Sequence, residues 1–286
     1  MNQVFDTSRF GLLVRKHWGD NRGKYLLSLG AIASLLLLWY GFLNIIETRS
    51  AMQEDGQIVT YYVGLFITGS LYASLLFSDL ANKPKAINFL AVPAAQLEKV
   101  LVMILYSVFI FFVCYTVIFY LVDFLMVKLN NAIRLASWED QFHEAQEVFT
   151  PREVANVFYR GVSDGTGPHF DPLAMAFTLF FGVQGAYALG SIYFPAYSFI
   201  KTTIALLLLA LLYVLVIAKV LYPILPQGYF DDGLTSFYPY GINDPNSEKL
   251  VEVPGWVGQV VFGFFRYVLA PAFWVITYFR LKEKEV

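Results

Sequence analysis

Six runs of apolar residues, each close to the length needed to cross a bilayer, divide this 286-residue chain. A hydrocarbon core about 30 Å thick requires roughly 20 residues of helix. The runs fall at Tyr25–Ile46, Val59–Phe77, Val100–Val127, Leu173–Phe199, Thr202–Leu225 and Trp256–Arg280. Hydrophobic residues make up 57% of the chain and charged residues 15%, against roughly 25% charged in a soluble domain. No single core can hide that much apolar surface. The expected fold class is therefore all-α: a polytopic membrane protein with about six transmembrane helices. The fourth and fifth runs nearly touch, separated only by Ile200 and Lys201.

Lysines and arginines orient such a chain, because cytoplasmic flanks carry the excess. With the N-terminus inside, the inner side holds Arg9, Arg15, Lys16, Arg22, Lys24, Lys83, Lys85, Lys99, Lys201, Arg280, Lys282 and Lys284. The outer side holds Arg49, Lys128, Arg134, Arg152, Arg160 and Lys249. Both termini are expected in the cytoplasm. Residues 1–24 do not read as a cleaved signal peptide. They read as a cytoplasmic amphipathic helix, with Phe10, Leu13, Val14, His17 and Trp18 on one face at helical spacing, suited to lie in the membrane interface. The six-helix domain then occupies 25–286, with a cytoplasmic loop at 79–99 and outer loops at 128–172 and 226–255. In the first outer loop, Thr150, Pro151 and Glu153 form a capping-box pattern that predicts a helix start.

Several chemistries lack their residues. A net charge of −2 and the absence of a basic-aromatic patch argue against nucleic acid. Cys114 is the only cysteine, so no disulfide forms within one chain. The stretch Gly19–Tyr25, GDNRGKY, is one residue short of a phosphate-binding loop and ends in Tyr where Ser or Thr would ligate Mg²⁺. No ATP hydrolysis, cofactor or catalytic residue is expected of this chain itself. His17, His143 and His169 all lie outside the spans, leaving the intramembrane serines without a base. Asp140, His143, Glu144 and Glu147 share a helical face at zinc-ligand spacing, but a solvated acidic helix has the same pattern, and no metal site is expected.

Three intramembrane charges stand out: Asp123, Lys219 and Arg266. Snorkelling of the two cations, or pairing of Asp123 with either, is the expected role. Small residues recur every four positions in the fourth span, at Ala174, Thr178, Gly182, Ala186 and Gly190, with Gln184 beside them. The second span carries Thr60, Gly64 and Thr68, and again Ser70, Ser74 and Ser78. Such stripes permit close helix approach, either within the chain, against a second subunit, or along a path.

The connector SDLANKPKAINFLAVPAAQLEKV, Ser78 to Val100, interrupts the apolar pattern. Pro84 and Pro93 punctuate it, since each biases its preceding residue away from helix. Between them a two-turn helix is expected, with Ile87, Leu90 and Ala91 on one face and Lys85 and Phe89 projecting from the other. After Pro93 a new helix runs into the third span. A short helix held between two spans, with basic and aromatic side chains outward, makes a docking element.

A short helix followed by Leu90, Pro93, Ala94, Ala95, Glu98 and Lys99 resembles the loop between the second and third spans of ABC-2 type transporter permeases. The chain departs from that family in the sparser LANKPKA ahead of the short helix, and in Val102 and Met103 where Gly-Lys often stands. The resemblance implies a membrane-spanning permease subunit, working with a second permease copy in a bacterial inner (plasma) membrane. It implies a separate ATP-binding cassette subunit carrying ATP and Mg²⁺, contacted through Asn82, Lys83, Lys85, Phe89, Pro93, Glu98 and Lys99. The alternative is a non-transporting membrane scaffold or accessory subunit of an envelope or secretion complex, for which loop 128–172 is the supporting feature.

Overall fold

The computed structural model of the protein describes residues 5–46, 53–81, 83–141, 150–158, 172–194, 196–216, 219 and 263–284. Every regular element among them is helical. Helix α1 spans Thr7–Ile46 and α2 spans Glu54–Ser74. A 3-10 turn at Ser78–Ala81 leads to the short α3, Lys83–Leu90. Helix α4, Gln96–Ile104, passes through a π turn at Leu105–Ile110 into α5, Phe111–Gln141. Helices α6, Pro172–Tyr193, and α7, Ser198–Val216, follow. A second π turn, Phe264–Val268, opens α8, Leu269–Glu283. Five of the continuous helical stretches are long and apolar enough to cross a membrane: 7–45, 54–80, 96–136, 173–193 and 198–216. Of the sixth expected span, only the part from Gly263 onward is described, and it is helical. The outer loop 226–255 lies outside the described residues.

Helix α1 runs without a break from Thr7 into the first expected span. Phe10, Leu13, Val14 and His17 are half-buried and continue the spacing of buried Ile32, Leu36 and Tyr40. The amphipathic face rests on the chain's own third-span helix: the Tyr106 hydroxyl donates to the Val14 carbonyl at 3.0 Å. Further along the same pair, the Asn130 amide donates to Asn44 Oδ1 at 2.5 Å. Helix α1 therefore runs parallel to α4 and α5.

Helix α6 sits centrally, packed on α2, α7 and α8. Helix α2 bridges it to α5 through buried aromatics. The Tyr115 hydroxyl donates to the Tyr61 carbonyl at 2.9 Å, and the Tyr61 hydroxyl meets Thr116 Oγ1 at 2.9 Å. Small residues permit this closeness. A methyl at Gly64 would overlap the Tyr115 hydroxyl, and one at Gly190 would overlap Thr202 of α7. Helix α7 leaves Leu207, Leu208, Leu211 and Leu212 exposed, a surface suited to lipid. The break between α6 and α7 lies at 194–197 rather than at Ile200 and Lys201. Phe194 precedes a proline, which disfavours helix there, and Tyr197 adopts a left-handed φ of 55° that turns the chain.

At the end of the bundle away from α3, residues 150–156 form no regular secondary structure, where the Thr150–Pro151–Glu153 pattern predicts a helix start. Side chains on the helices supply the partners a neighbouring strand would. Asn131 donates to the Arg152 carbonyl at 2.8 Å and accepts the Arg152 N–H at 2.9 Å. Gln57 donates to the Glu153 carbonyl at 3.1 Å and accepts the Ala155 N–H at 2.7 Å. Tyr62 donates to the Val157 carbonyl at 2.9 Å, while Tyr120 Oη accepts its N–H at 3.3 Å. Ala155 and Val157 are buried with Asn156 exposed between them. Backbone groups buried this way must be paired, and here the two helices α2 and α5 pair them.

Candidate functional site

At the opposite end, the starts of α1 and α4 meet on one carboxylate. Asp6 caps α1, its Oδ1 accepting the N–H groups of Ser8 at 2.8 Å and Arg9 at 3.3 Å. Pro93 stops the connector, and Glu98 takes the third position of α4. Glu98 Oε2 reaches back to the Ala95 N–H at 3.1 Å, the reciprocal half of a capping box. Its other contacts belong to α1: the Asp6 N–H at 2.8 Å on Oε1, and the Arg9 fork at 2.7 Å from Nε and 2.6 Å from Nη2. One negative charge thus closes two helix starts, where the helix dipole favours it. The Arg9 guanidinium, at 2.6 Å, neutralises the buried Glu98 charge.

The connector hangs from this point. Asp79, in the 3-10 turn, faces Lys85 Nζ at 3.7 Å. Helix α3 turns Phe89 inward, edge-on to Phe77 with ring centres 6.3 Å apart. Lys99 donates from Nζ to the Leu90 carbonyl at 2.9 Å, its ammonium 5.8 Å from the Phe89 ring. The face expected to point outward is therefore only partly so. Glu98 and Lys99 are buried and Phe89 is half-buried, whereas Lys85, Ile87, Asn88 and Pro93 are exposed. Ile87, on the face that its spacing sets opposite Lys85 and Phe89, is 66% exposed. Asn82 lies outside the described residues, and Lys83 is described only as the first residue of α3.

Between the lower part of α1 and the connector is a cavity of about 670 Å³. His17 and Tyr25 from α1 hydrogen-bond to each other at its wall, and the Tyr106 ring lies 4.6 Å from His17. Reasoning from the sequence missed this group; the one available signal was the spacing of His17 and Tyr25, two helical turns apart on the face of α1 that looks inward.

The remaining candidates are structural in this arrangement. Thr68, Ser70, Ser74 and Thr178 donate to carbonyls of their own helices. Gly182 faces Leu269 of α8, Ala186 is buried, and Gly190 meets Thr202 of α7. Gln184 is buried against Gly69 of α2, with no hydrogen-bond partner for its amide among the described residues. Asp123 is fully buried opposite the Tyr40 hydroxyl without a well-formed hydrogen bond. Lys219 and Arg266 are exposed, and the expected pairing of Asp123 with either is absent among the described residues. The Arg266 guanidinium lies 5.5 Å from the Tyr267 ring instead. Asp140 lies on α5, but His143, Glu144 and Glu147 fall outside the described residues; no three-ligand metal group occurs among those described.

Fold and composition together make this an integral membrane protein of the all-helical class, with a folded connector at one end of the bundle. Compared with family models, curated proteins and solved structures, the chain finds no match in any of the three.

Proposed function

We propose that this chain is the permease subunit of an ATP-driven transporter of ABC-2 type, with six spans and both termini in the cytoplasm of a bacterial inner membrane. A separate ATP-binding subunit, carrying ATP and Mg²⁺, seats on α3, and two permease copies form the working unit. The observation that carries this reading is the outward face of α3. Ile87 stands exposed between Lys85 and Asn88 on a helix whose other side is anchored by Phe89. An apolar knob rimmed by polar groups suits a protein groove.

Force applied to α3 has two outlets. The turn at Ser78–Ala81 leads to α2, and the Lys99 bond to Leu90 leads to α4. The Glu98 clamp then carries α1 along with α4. Helices α1, α4 and α5 move as one parallel unit against α2, α6 and α8, and the close contacts at Gly64 and Gly69 are where sliding is felt. Replacing Ile87→Glu with Lys85→Glu is expected to abolish copurification of an ATP-hydrolysing chain while membrane insertion persists. Unchanged recovery of that chain, or labelling of Lys85 from the outside of intact cells, overturns the reading.

The scaffold reading draws on a different observation, the segment at 150–158 hydrogen-bonded to Asn131, Gln57, Tyr62 and Tyr120. It predicts the opposite result: function is lost when Gln57 is replaced and retained with Ile87→Glu.

A further inference from the structure

The cavity beside the connector is lined by both charged and apolar side chains. Lys16, Lys24 and Lys85 line it with Lys99 against two acidic groups, Asp20 and Asp79, so the lining is net cationic. Leu75, Leu76 and Met103 are among its apolar lining. Its volume of about 670 Å³ is within the roughly 300–1,000 Å³ of small-ligand sites. It also sits where α1 changes character, at the Lys24–Tyr25 step where the polar segment gives way to the first apolar run, which is headgroup depth for a spanning helix. Helices α1 and α2 meet there by a ring contact, Tyr25 to Tyr72 at 5.8 Å, rather than by close-packed backbones.

The cations are held loosely. Lys16 faces Asp20 at 3.4 Å and Lys85 faces Asp79 at 3.7 Å, both pairs substantially exposed, and exposed pairs of this kind contribute little. Lys24 donates to Asn21 Oδ1 at 3.1 Å. An anion entering the cavity can take all three ammonium groups at small cost, and its apolar tail finds Leu75, Leu76 and Met103.

We infer that this cavity binds an anionic phospholipid of the adjoining leaflet, with the headgroup phosphate among Lys16, Lys24 and Lys85 and an acyl chain along Leu76 and Met103. Bound there, the lipid joins α1 to the connector through a ligand instead of through direct packing. The site does not depend on the permease reading, because every residue lining it belongs to this chain.

The test uses the full chain, delipidated in mild detergent and examined by native mass spectrometry. Dioleoylphosphatidylglycerol is expected to be retained at about tenfold lower concentration than dioleoylphosphatidylcholine, as charge selection by clustered lysines requires. The Lys16→Gln/Lys24→Gln pair, at exposed positions that leave the fold intact, should remove that preference. Ser28→Trp, which fills the cavity, should remove the adduct itself. Equal retention of the two lipids, or an adduct unaffected by Ser28→Trp, overturns the inference. Full competition by glycerol phosphate overturns the lipid assignment in favour of a soluble phosphate.

Discussion

Replacing Glu98→Gln isolates the carboxylate on which two helices start. Glu98 accepts four hydrogen bonds, two on each oxygen. Glutamine keeps one oxygen, so two bonds survive, and the new NH₂ group is aimed at two donors. Hydrogen bonds to charged groups contribute about 1.5–3 kcal/mol each. The side chain of Glu98 is fully buried, but that of Arg9 is 36% exposed, so solvent screening reduces the sum to about 2–4 kcal/mol. That loss is local, because α1 and α4 keep their apolar contacts with the bundle. Hydrogen exchange in detergent is the assay, since opening of a substructure is read directly as faster exchange. Amides of residues 6–18 and 94–100 should exchange roughly 30- to 700-fold faster, the factor that energy implies. Amides at 61–70 should be unchanged. Less than about threefold acceleration, or equal acceleration throughout the chain, would refute the idea that this carboxylate holds the two starts together.

At the other end, Gln57→Leu orphans the Glu153 carbonyl and the Ala155 N–H, each costing about 1–3 kcal/mol. Limited proteolysis should then cut within 150–158 while the connector resists as before. Two glycines should respond oppositely to a methyl group. Gly64→Ala meets the Tyr115 hydroxyl, already committed to the Tyr61 carbonyl, and should cost about 1–3 kcal/mol in thermal unfolding. Gly19→Ala meets nothing within 4 Å and should stabilise α1 by about 0.5–1 kcal/mol.

The chain's own pattern determined the helical class, five of the long apolar helices, and the short helix between Pro84 and Pro93. These follow from quantities local in sequence: the length of apolar runs, the missing N–H of proline, and the spacing of small residues that marked the fourth span as a packing surface. What lay beyond local reading were choices among faces. Ile87 and Phe89 are both apolar on a two-turn helix, and only the position of Phe77 decides which turns inward. Glu98 looked like an outward charge because its partners, Asp6 and Arg9, are some ninety residues away. Thr150–Pro151–Glu153 has the local signature of a helix start, yet no helix forms there, because Asn131, Gln57, Tyr62 and Tyr120 offer the segment's backbone other partners. Tertiary structure decided these points because a hydrogen bond depends on which groups meet in space, while hydropathy and capping patterns report only on neighbours along the chain.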